Sequence, residues 1–359
     1  MARAWLALMA LAASLPLLAP ARSAAAAAAA TAEACPPSGK IRYLCGVANA
    51  EDLVTVPGTR WLIASGASAQ EGAAGGLFLV DSARRSIRPL VPDLSRPARP
   101  PYAACPGPID LKKFLSHGLA LRPGARGRHT LYVVNHGGRE SVELFGVDAS
   151  RGEPRLSWLG CVPMPKGANP NSVAPLPDGG FVVSKFDEAG DDKAFQKMIA
   201  GEKTGLVYQW SPKSGFKAVP GSELSGDNGV EVSRDGRWIF VNAWPEKRIV
   251  RLALDGWGQP AEARVDFMPD NLHWAPDGSL LVAGQGPDLK TLLACDKPHC
   301  PHDWAVARLD PKTMQVTPLV SRKGEEAFGD ATGAVQLGRE LWVGTYKGDR
   351  LAIVPIEER

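Results

Sequence analysis

Short stretches of alternating apolar and polar residues recur along the chain, and each is followed by a turn and a second apolar stretch. The six units are "EDLVTVPGTRWLIASG", "HGLALRPGARGRHTLYVVNH", "NSVAPLPDGGFVVSKFD", "DNGVEVSRDGRWIFVNAW", "DNLHWAPDGSLLVAGQ" and "TGAVQLGRELWVGTY". Their first residues are 43 to 66 positions apart, a spacing that suits a four-stranded blade with its loops. The pattern predicts an all-β fold, a six-bladed β-propeller with a central channel and a closing strand from either terminus.

One segment departs from the strand pattern. Residues 191–205, "DDKAFQKMIAGEKTG", are rich in helix formers and follow the third unit. They predict a short helical insertion on the side of the channel where the third and fourth units begin. Two roles remain open for it, a lid that shapes a pocket and a solvated surface helix.

The first 30 residues have the pattern of a secretory signal peptide. Basic Arg3 precedes an apolar run from Trp5 to Leu18, which is too short to span a bilayer, and an alanine-rich region suitable for cleavage follows. A retained membrane anchor is the alternative. We therefore expect a periplasmic or secreted protein in which residues 31–359 form a single propeller domain with no membrane span.

The charge of the chain excludes one class of partner. The formal net charge is +3, and Arg3 and Arg22 in the predicted signal region account for two of these charges. No basic patch of the kind that binds nucleic acid is present in the rest of the sequence. The expected partners are small molecules, and the sequence leaves the oligomeric state open.

Six cysteines in an exported chain predict disulfides. Proximity in sequence favours Cys35 with Cys45, Cys105 with Cys161, and Cys295 with Cys300, although six cysteines allow fifteen connectivities. The last pair lies in "CDKPHCPH", where two histidines offer a zinc or copper site as the alternative. A redox propeller that uses this cluster or a quinone is a further, weaker hypothesis.

The first residues of the predicted inner strands would converge on the channel axis. These residues are Glu51, His117, Asn171, Asn228, Asp270 with Asn271, and Thr332. Three asparagines and two carboxylates form a set of hard oxygen donors whose charge and number suit calcium. Asparagine is also common at strand ends for reasons of turn geometry, so a coincidence of turn chemistry is the alternative.

Two histidines lie at the ends of one predicted hairpin, which runs from His117 to His136 with a turn at 123–127. If Arg122 pairs with Leu131, the same register makes the two histidines direct cross-strand neighbours, with Cβ atoms about 5 Å apart. An imidazole with a pKa near 6.5 can act as a general base at neutral pH, and a second imidazole can orient it. A pair of solvent-exposed histidines at strand ends is the alternative.

Several segments resemble those of a known family. They are Glu51-Asp52-Leu53, "HGLALR", "LYVVNHGGRESVELF", "NSV", "DNGVEVSRDGRWIFV", "DNLHWAPDG" and "LWVGTYKGDRLAIVPI". The chain is similar to the paraoxonase/arylesterase type of calcium-dependent six-bladed propeller, and more distantly to gluconolactonases and regucalcin. The region from Val133 to Phe145 is the most specific part, because Asp-Gly turns occur in many propellers.

The resemblance implies a set of metal ligands. A calcium deep in the channel would be held by Glu51, Asn171, Asn228, Asp270 and Asn271, although the sequence leaves open which of the last two points inward. A second, structural calcium would use Asp52 and an aspartate at the position where this chain has Ser172. The loss of that carboxylate is expected to weaken the second site.

These observations together predict an exported calcium-dependent hydrolase of lactones, with aryl esters as side substrates. Calcium would stabilise the oxyanion, His117 would activate water as the base, and His136 would orient it. His273 is predicted to pack in the core or the channel, with a role as a second base as the alternative. The sequence contains no G-x-S-x-G nucleophile elbow that would compete with this mechanism.

The main alternative belongs to another functional class. Many propellers only bind, and a fold does not determine a function. The chain would then be a non-catalytic periplasmic binding propeller in which the calcium ties the blades together.

Overall fold

The computed structural model describes residues 35–67, 75–102, 104–297 and 299–356, all of which lie in a unit spanning Thr31–Arg359. The predicted signal segment lies outside the described residues. In the described part of the chain, no helix is long and apolar enough to cross a membrane.

The architecture is a six-bladed β-propeller, as predicted, in which each blade is an antiparallel sheet of four strands. Strand β1 (Arg42–Cys45) comes first in the chain and belongs to the last blade. The first three blades are β2 (Leu53–Thr55), β3 (Trp61–Gly66), β4 (Gly76–Asp81) and β5 (Ser86–Pro89); β6 (Ser116–Arg122), β7 (Arg128–Asn135), β8 (Ser141–Asp148) and β9 (Arg155–Pro163); and β10 (Ala168–Pro175), β11 (Phe181–Glu188), β12 (Leu206–Ser211) and β13 (Gly215–Ala218).

In the remaining three blades, as in the first three, the strands are named from the innermost to the outermost. They are β14 (Asp227–Val232), β15 (Trp238–Ala243), β16 (Arg248–Ala253) and β17 (Ala261–Arg264); β18 (Met268–Trp274), β19 (Leu280–Gln285), β20 (Trp304–Leu309) and β21 (Val316–Arg322); and β22 (Ala331–Leu337), β23 (Glu340–Thr345) and β24 (Arg350–Pro355). Strand β1 pairs with β24 and becomes the outermost strand of the sixth blade. The amino-terminal segment of the domain therefore closes the ring.

Apolar layers between neighbouring blades hold the ring together. Phe114, Phe145 and Trp158 are fully buried between the first and second blades. Trp342 packs with Leu53 in the layer where the sixth blade meets the first. Because the blades are packed against neighbours on both faces, the second strand of each blade is largely apolar and buried, as in Trp61–Gly66.

In the described residues, two short α-helices lie outside the sheets. Helix α1 (Ala194–Ile199) lies within the predicted helical insertion, and α2 (Leu289–Leu293) follows β19 in the fifth blade. Asp288 caps α2, since its side chain accepts a hydrogen bond from the Thr291 backbone N–H at 2.9 Å. The two helices contact each other, which brings together two loops from the third and fifth blades.

Three disulfides join Cys35 to Cys45, Cys105 to Cys161, and Cys295 to Cys300. This is the pairing that proximity in sequence favoured. The cysteines of "CDKPHCPH" are therefore bonded to each other rather than arranged as thiolate ligands.

Candidate functional site

The polar residues at the starts of the inner strands reach the channel through irregularities in the sheets. In the second to sixth blades, the pairing of the innermost strand with the next strand shifts at the position of the polar residue. At each shift, two consecutive residues of the innermost strand have no partner on the next strand. These residues are His117-Gly118, Asn171-Ser172, Asn228-Gly229, Asp270-Asn271 and Thr332-Gly333. A bulge releases a residue from the ladder and redirects its side chain, and here five bulges direct polar groups towards the same axis.

Glycine at three of these bulges permits the inner strands to approach closely. A Cβ atom at Gly118 would lie 2.4 Å from the carbonyl oxygen of Asn171, and one at Gly229 would lie 2.3 Å from that of Asp270. These separations are too short for any side chain. The glycines therefore set how narrow the channel is at the level of the polar residues.

Four of the predicted calcium ligands each have a buried side-chain oxygen that receives no hydrogen bond from the described residues. They are Glu51 Oε2, Asn171 Oδ1, Asn228 Oδ1 and Asn271 Oδ1, and they come from four different blades. Each buried acceptor without a partner would cost about 1–3 kcal/mol of stability. Hard oxygens with one carboxylate among them are the donors that calcium prefers, so the residues present fit a calcium ion.

The charges of the site also favour a cation. Burial, together with repulsion from Asp52 and Asp270, raises the pKa of Glu51 well above its ordinary range. Burial raises the pKa of Asp270 to about 7, against a hydrogen bond from Gln285 that lowers it. Two carboxyl groups that resist ionisation this strongly at one place would be stabilised in their charged forms by a bound cation.

Both residues of the Asp270-Asn271 pair face the site, which answers the question that the sequence left open. The amide of Asn271 donates to Glu51 Oε1 at 2.5 Å, and Asp270 lines the cavity above. Gln285 at the end of β19 donates to Asp270 Oδ2 at 2.7 Å and accepts from the Trp244 indole. Gln285 was not predicted, although a polar residue that ends the buried run "LLVAGQ" is a usable signal.

Thr332 has a supporting position. Its hydroxyl donates to the carbonyl oxygen of Glu51 at 2.5 Å. The residue therefore ties the sixth blade to the first and fixes the backbone that carries Glu51.

The two histidines are in contact, but by a different register from the one predicted. Ser116 pairs with Asn135 and Arg122 pairs with Thr130, so the predicted pairing of Arg122 with Leu131 is wrong by one residue. The bulge at His117 and the position of His136 just beyond β7 compensate for this shift. His117 Nδ1 lies 2.9 Å from His136 Nε2.

A chain of hydrogen bonds orients the pair. His136 Nδ1 lies 2.7 Å from Glu140 Oε2, and in the tautomer in which His136 Nδ1 donates to this oxygen, His136 Nε2 accepts from His117 Nδ1. This leaves His117 Nε2 without a proton, 3.6 Å from Glu51 Oε2. Glu140 was not predicted, and its signal is a carboxylate four residues after a histidine in a glycine-rich turn.

Burial and the neighbouring His136 lower the pKa of His117 to about 3. The value near 6.5 assumed from the sequence is therefore wrong for this environment, because it holds for a solvated imidazole. The direction of the shift keeps the ring unprotonated at neutral pH, as a general base must be, but it also makes the imidazole a weaker base than one whose pKa lies near 7.

A cavity of about 250 Å³ opens above these groups. Its floor is polar and includes Glu51, His117 and Asn228, and its walls are mostly apolar. The wall residues are Phe186, Phe195, Trp244, Leu292, Leu293 and Tyr346. Since Phe195 belongs to α1 and the two leucines to α2, the inserted helices form part of the pocket wall.

Further along the channel, on the side away from this cavity, Asp52 and His273 form a separate polar contact. We call this part the inner end of the channel. Asp52 is fully buried and accepts a hydrogen bond from His273 Nε2 at 2.5 Å. Burial opposes a charge on His273, but the charge and hydrogen bond of Asp52, together with the charge of Glu231, outweigh it and raise the pKa of His273. His273 therefore packs in the channel, as predicted, and lies apart from the cavity that holds the other two histidines.

Comparison with known proteins places the fold. No protein-family model matches the chain, and no curated protein matches its sequence. Among solved structures, a luciferin-regenerating enzyme is similar with a TM-score of 0.53 at 12% identity, over 87% of this chain and 92% of that one. A candidate gluconolactonase gives 0.51 at 18% identity, over 90% and 96%. A calcium-binding regucalcin from Agrobacterium tumefaciens str. C58 gives 0.49 at 12%, over 87% and 91%. The likeness to the gluconolactonase structure agrees with the predicted six-bladed propeller fold.

Proposed function

We propose that this protein is a calcium-dependent hydrolase of lactones, with aryl esters as side substrates. One observation carries the proposal. Four buried oxygens that the protein leaves without hydrogen bonds converge beside an oriented pair of imidazoles, at the floor of an apolar-walled cavity. Both features suit metal-assisted attack on a polar group of a mostly apolar ligand.

Glu51, Asn171, Asn228, Asp270 and Asn271 would hold the calcium. When bound, the calcium would supply positive charge that stabilises an ester carbonyl oxygen as it becomes negative. Asp270 is held by Gln285, and Glu51 by Asn271 and Thr332, so the ligands are positioned before any metal binds.

His117 Nε2 accepts a proton from water as the water attacks the ester carbonyl carbon. His136 accepts the hydrogen bond from His117 Nδ1, shares the positive charge that results, and passes part of it towards Glu140. The proton is then available to the alkoxide that leaves when the ring C–O bond breaks. No covalent intermediate with the protein is needed.

The cavity favours small, partly apolar esters. Its volume of about 250 Å³ is below the usual range of about 300–1,000 Å³ for ligand pockets. Aromatic and leucine side chains from α1 and α2 provide apolar contact for a ring or a short chain. A lactone presents its carbonyl group and its apolar ring together, which matches a polar floor under apolar walls.

Three disulfides support a location outside the cytoplasm, in the periplasm or secreted. Thiols in the cytoplasm are kept reduced, whereas disulfides persist in oxidising compartments. This agrees with the expected signal segment at residues 1–30.

Turnover of a panel of lactones and phenyl acetate tests the proposed function. Purified protein is assayed with excess calcium and with a calcium chelator. We expect ring opening of at least one lactone in calcium and its loss in the chelator. Binding of a lactone without turnover, by folded and calcium-loaded protein, would instead establish the non-catalytic binding propeller.

A further inference from the structure

The Asp52 carboxylate at the inner end of the channel is already fully bonded within the protein. Oδ2 accepts from the Leu119 backbone N–H at 2.7 Å, and Oδ1 accepts from the Leu53 backbone N–H at 2.8 Å. The third donor is His273, whose Nε2 lies 2.5 Å from Oδ1. In contrast with the four oxygens of the neighbouring site, neither oxygen of Asp52 is left without a partner.

The position that would supply a second carboxylate carries a hydroxyl. Ser172 is buried against the second blade, where a Cβ at Gly118 would lie 2.8 Å from Ser172 Cα. Its backbone N–H donates to Ser184 Oγ at 3.0 Å. Calcium sites depend on the number of charged ligands, and here one charge is missing and the remaining carboxylate is occupied. The donor set therefore does not fit the structural calcium that the family resemblance implies.

His273 reaches Asp52 from another part of the ring. It lies on β18 of the fifth blade, whereas Asp52 precedes β2 of the first blade, so this contact links two blades that are not neighbours. The same imidazole lines a cavity of about 610 Å³ formed by the opposite ends of the inner strands. A cation at this point of the axis would link blades in the same way.

We propose that the His273 side chain takes the place of a second metal ion at Asp52, so that this propeller binds one calcium and ties its inner end by a side-chain contact. The inference rests on the proposed function only for the first calcium. The bond between His273 and Asp52 is part of the folded chain and does not depend on the concentration of calcium.

Calcium stoichiometry tests this directly. Chelator-treated full-length protein is titrated with calcium in an equilibrium binding assay. We expect one equivalent per chain, lost in Asn228→Ala. Two equivalents, of which one is lost in Asp52→Asn, would overturn the inference. Zero equivalents would overturn the proposed calcium site, and thermal melting would then decide the role of His273.

Thermal melting separates the contact from any metal. His273→Asn is expected to lower Tm by about 5 to 10 °C, because one partner of a buried pair is removed. The decrease should be equal in calcium and in chelator. His299→Asn, the same change in a loop that lines neither cavity, is the matched control and should leave Tm within about 2 °C of the original. An unchanged Tm in His273→Asn, or its full recovery in calcium, would contradict the inference.

A gain-of-site variant provides the reverse test. Ser172→Asp combined with His273→Asn restores the missing carboxylate and removes the imidazole. We expect this variant to bind one more calcium than the original protein and to regain melting temperature when calcium is added. If the folded variant binds no additional calcium, His273 and Ser172 are not what exclude it. Should the variant fail to fold, the stoichiometry of the unmodified protein still decides the question.

Discussion

His117→Gln is expected to lower kcat/KM for a lactone by about 10² to 10⁴-fold at saturating calcium, the usual range for loss of a general base. Glutamine keeps a polar side chain of similar reach but has no basic nitrogen that can accept a proton from the attacking water. Calcium affinity should change little, because His117 is not one of the proposed calcium ligands, all of which bind through oxygen. Steady-state kinetics together with calcium titration of the same preparation measure both quantities.

Substitution of the other residues in the hydrogen-bond chain should lower kcat/KM by a smaller factor, and the factor should decrease with distance from the substrate. His136→Gln and Glu140→Gln remove orientation and charge sharing but leave the base in place. His299→Gln is the control, since it removes an imidazole that lines neither cavity. If His117→Gln keeps the original kcat/KM on several lactones, the imidazole pair is not the base and the mechanism is wrong.

Asn228→Ala is expected to weaken calcium binding by about 100-fold or more and to abolish turnover at low calcium. Even groups that only orient metal ligands contribute about 10 to 100-fold, so a ligand itself should contribute at least this much. Binding to the folded state alone stabilises it by about 2.7 kcal/mol when calcium is 100 times its Kd. The difference in Tm between calcium and chelator, about 5 °C or more in the original protein, should therefore shrink in the variant.

Asn228→Asp is the matched variant for this prediction. It keeps an oxygen at the same position and adds a negative charge, so calcium binding should persist. Equal melting temperatures for the original protein in calcium and in chelator would show that calcium does not stabilise the folded protein and would contradict the proposed site. A normal response to calcium in Asn228→Ala would exclude this asparagine as a ligand.

The blades were predictable because burial on both faces leaves a strong sequence pattern. The second strand of each unit is apolar and the turns are rich in glycine and aspartate, so six repeats were visible without a structure. Which terminus closes the ring was not predictable. Strand β1 is only Arg42–Cys45, and a strand of four residues has too little periodicity to recognise.

The sequence indicated which polar residues would lie near one another in the channel, but not how they are arranged. A hairpin register counted along the sequence assumes a regular ladder, and the bulge at His117 adds a residue on one strand that this counting cannot detect. The two histidines nevertheless meet, because both lie at the same end of the hairpin. Helix α2 was missed because Leu289–Leu293 is too short to show a helical period.

The groups that hold the site were the hardest to find. Glu140 hydrogen-bonds to His136, and Gln285 hydrogen-bonds to Asp270. Their local sequence does not show the direction in which the turn or the strand end points each side chain. The pKa of His117 depends on burial and on His136, which are properties of the assembled channel. Local sequence therefore identifies donor atoms, whereas their orientation and protonation depend on neighbouring blades.

The most direct test of a calcium-dependent hydrolase measures lactone ring opening and calcium binding on one preparation as functions of free calcium. We expect turnover to be absent in chelator, to rise with calcium, and to have the same midpoint as binding, because the ion at Glu51, Asn171 and Asn228 is the one that serves the reaction. Turnover that persists in chelator, or calcium binding that saturates with no turnover of any lactone, would contradict the proposed function.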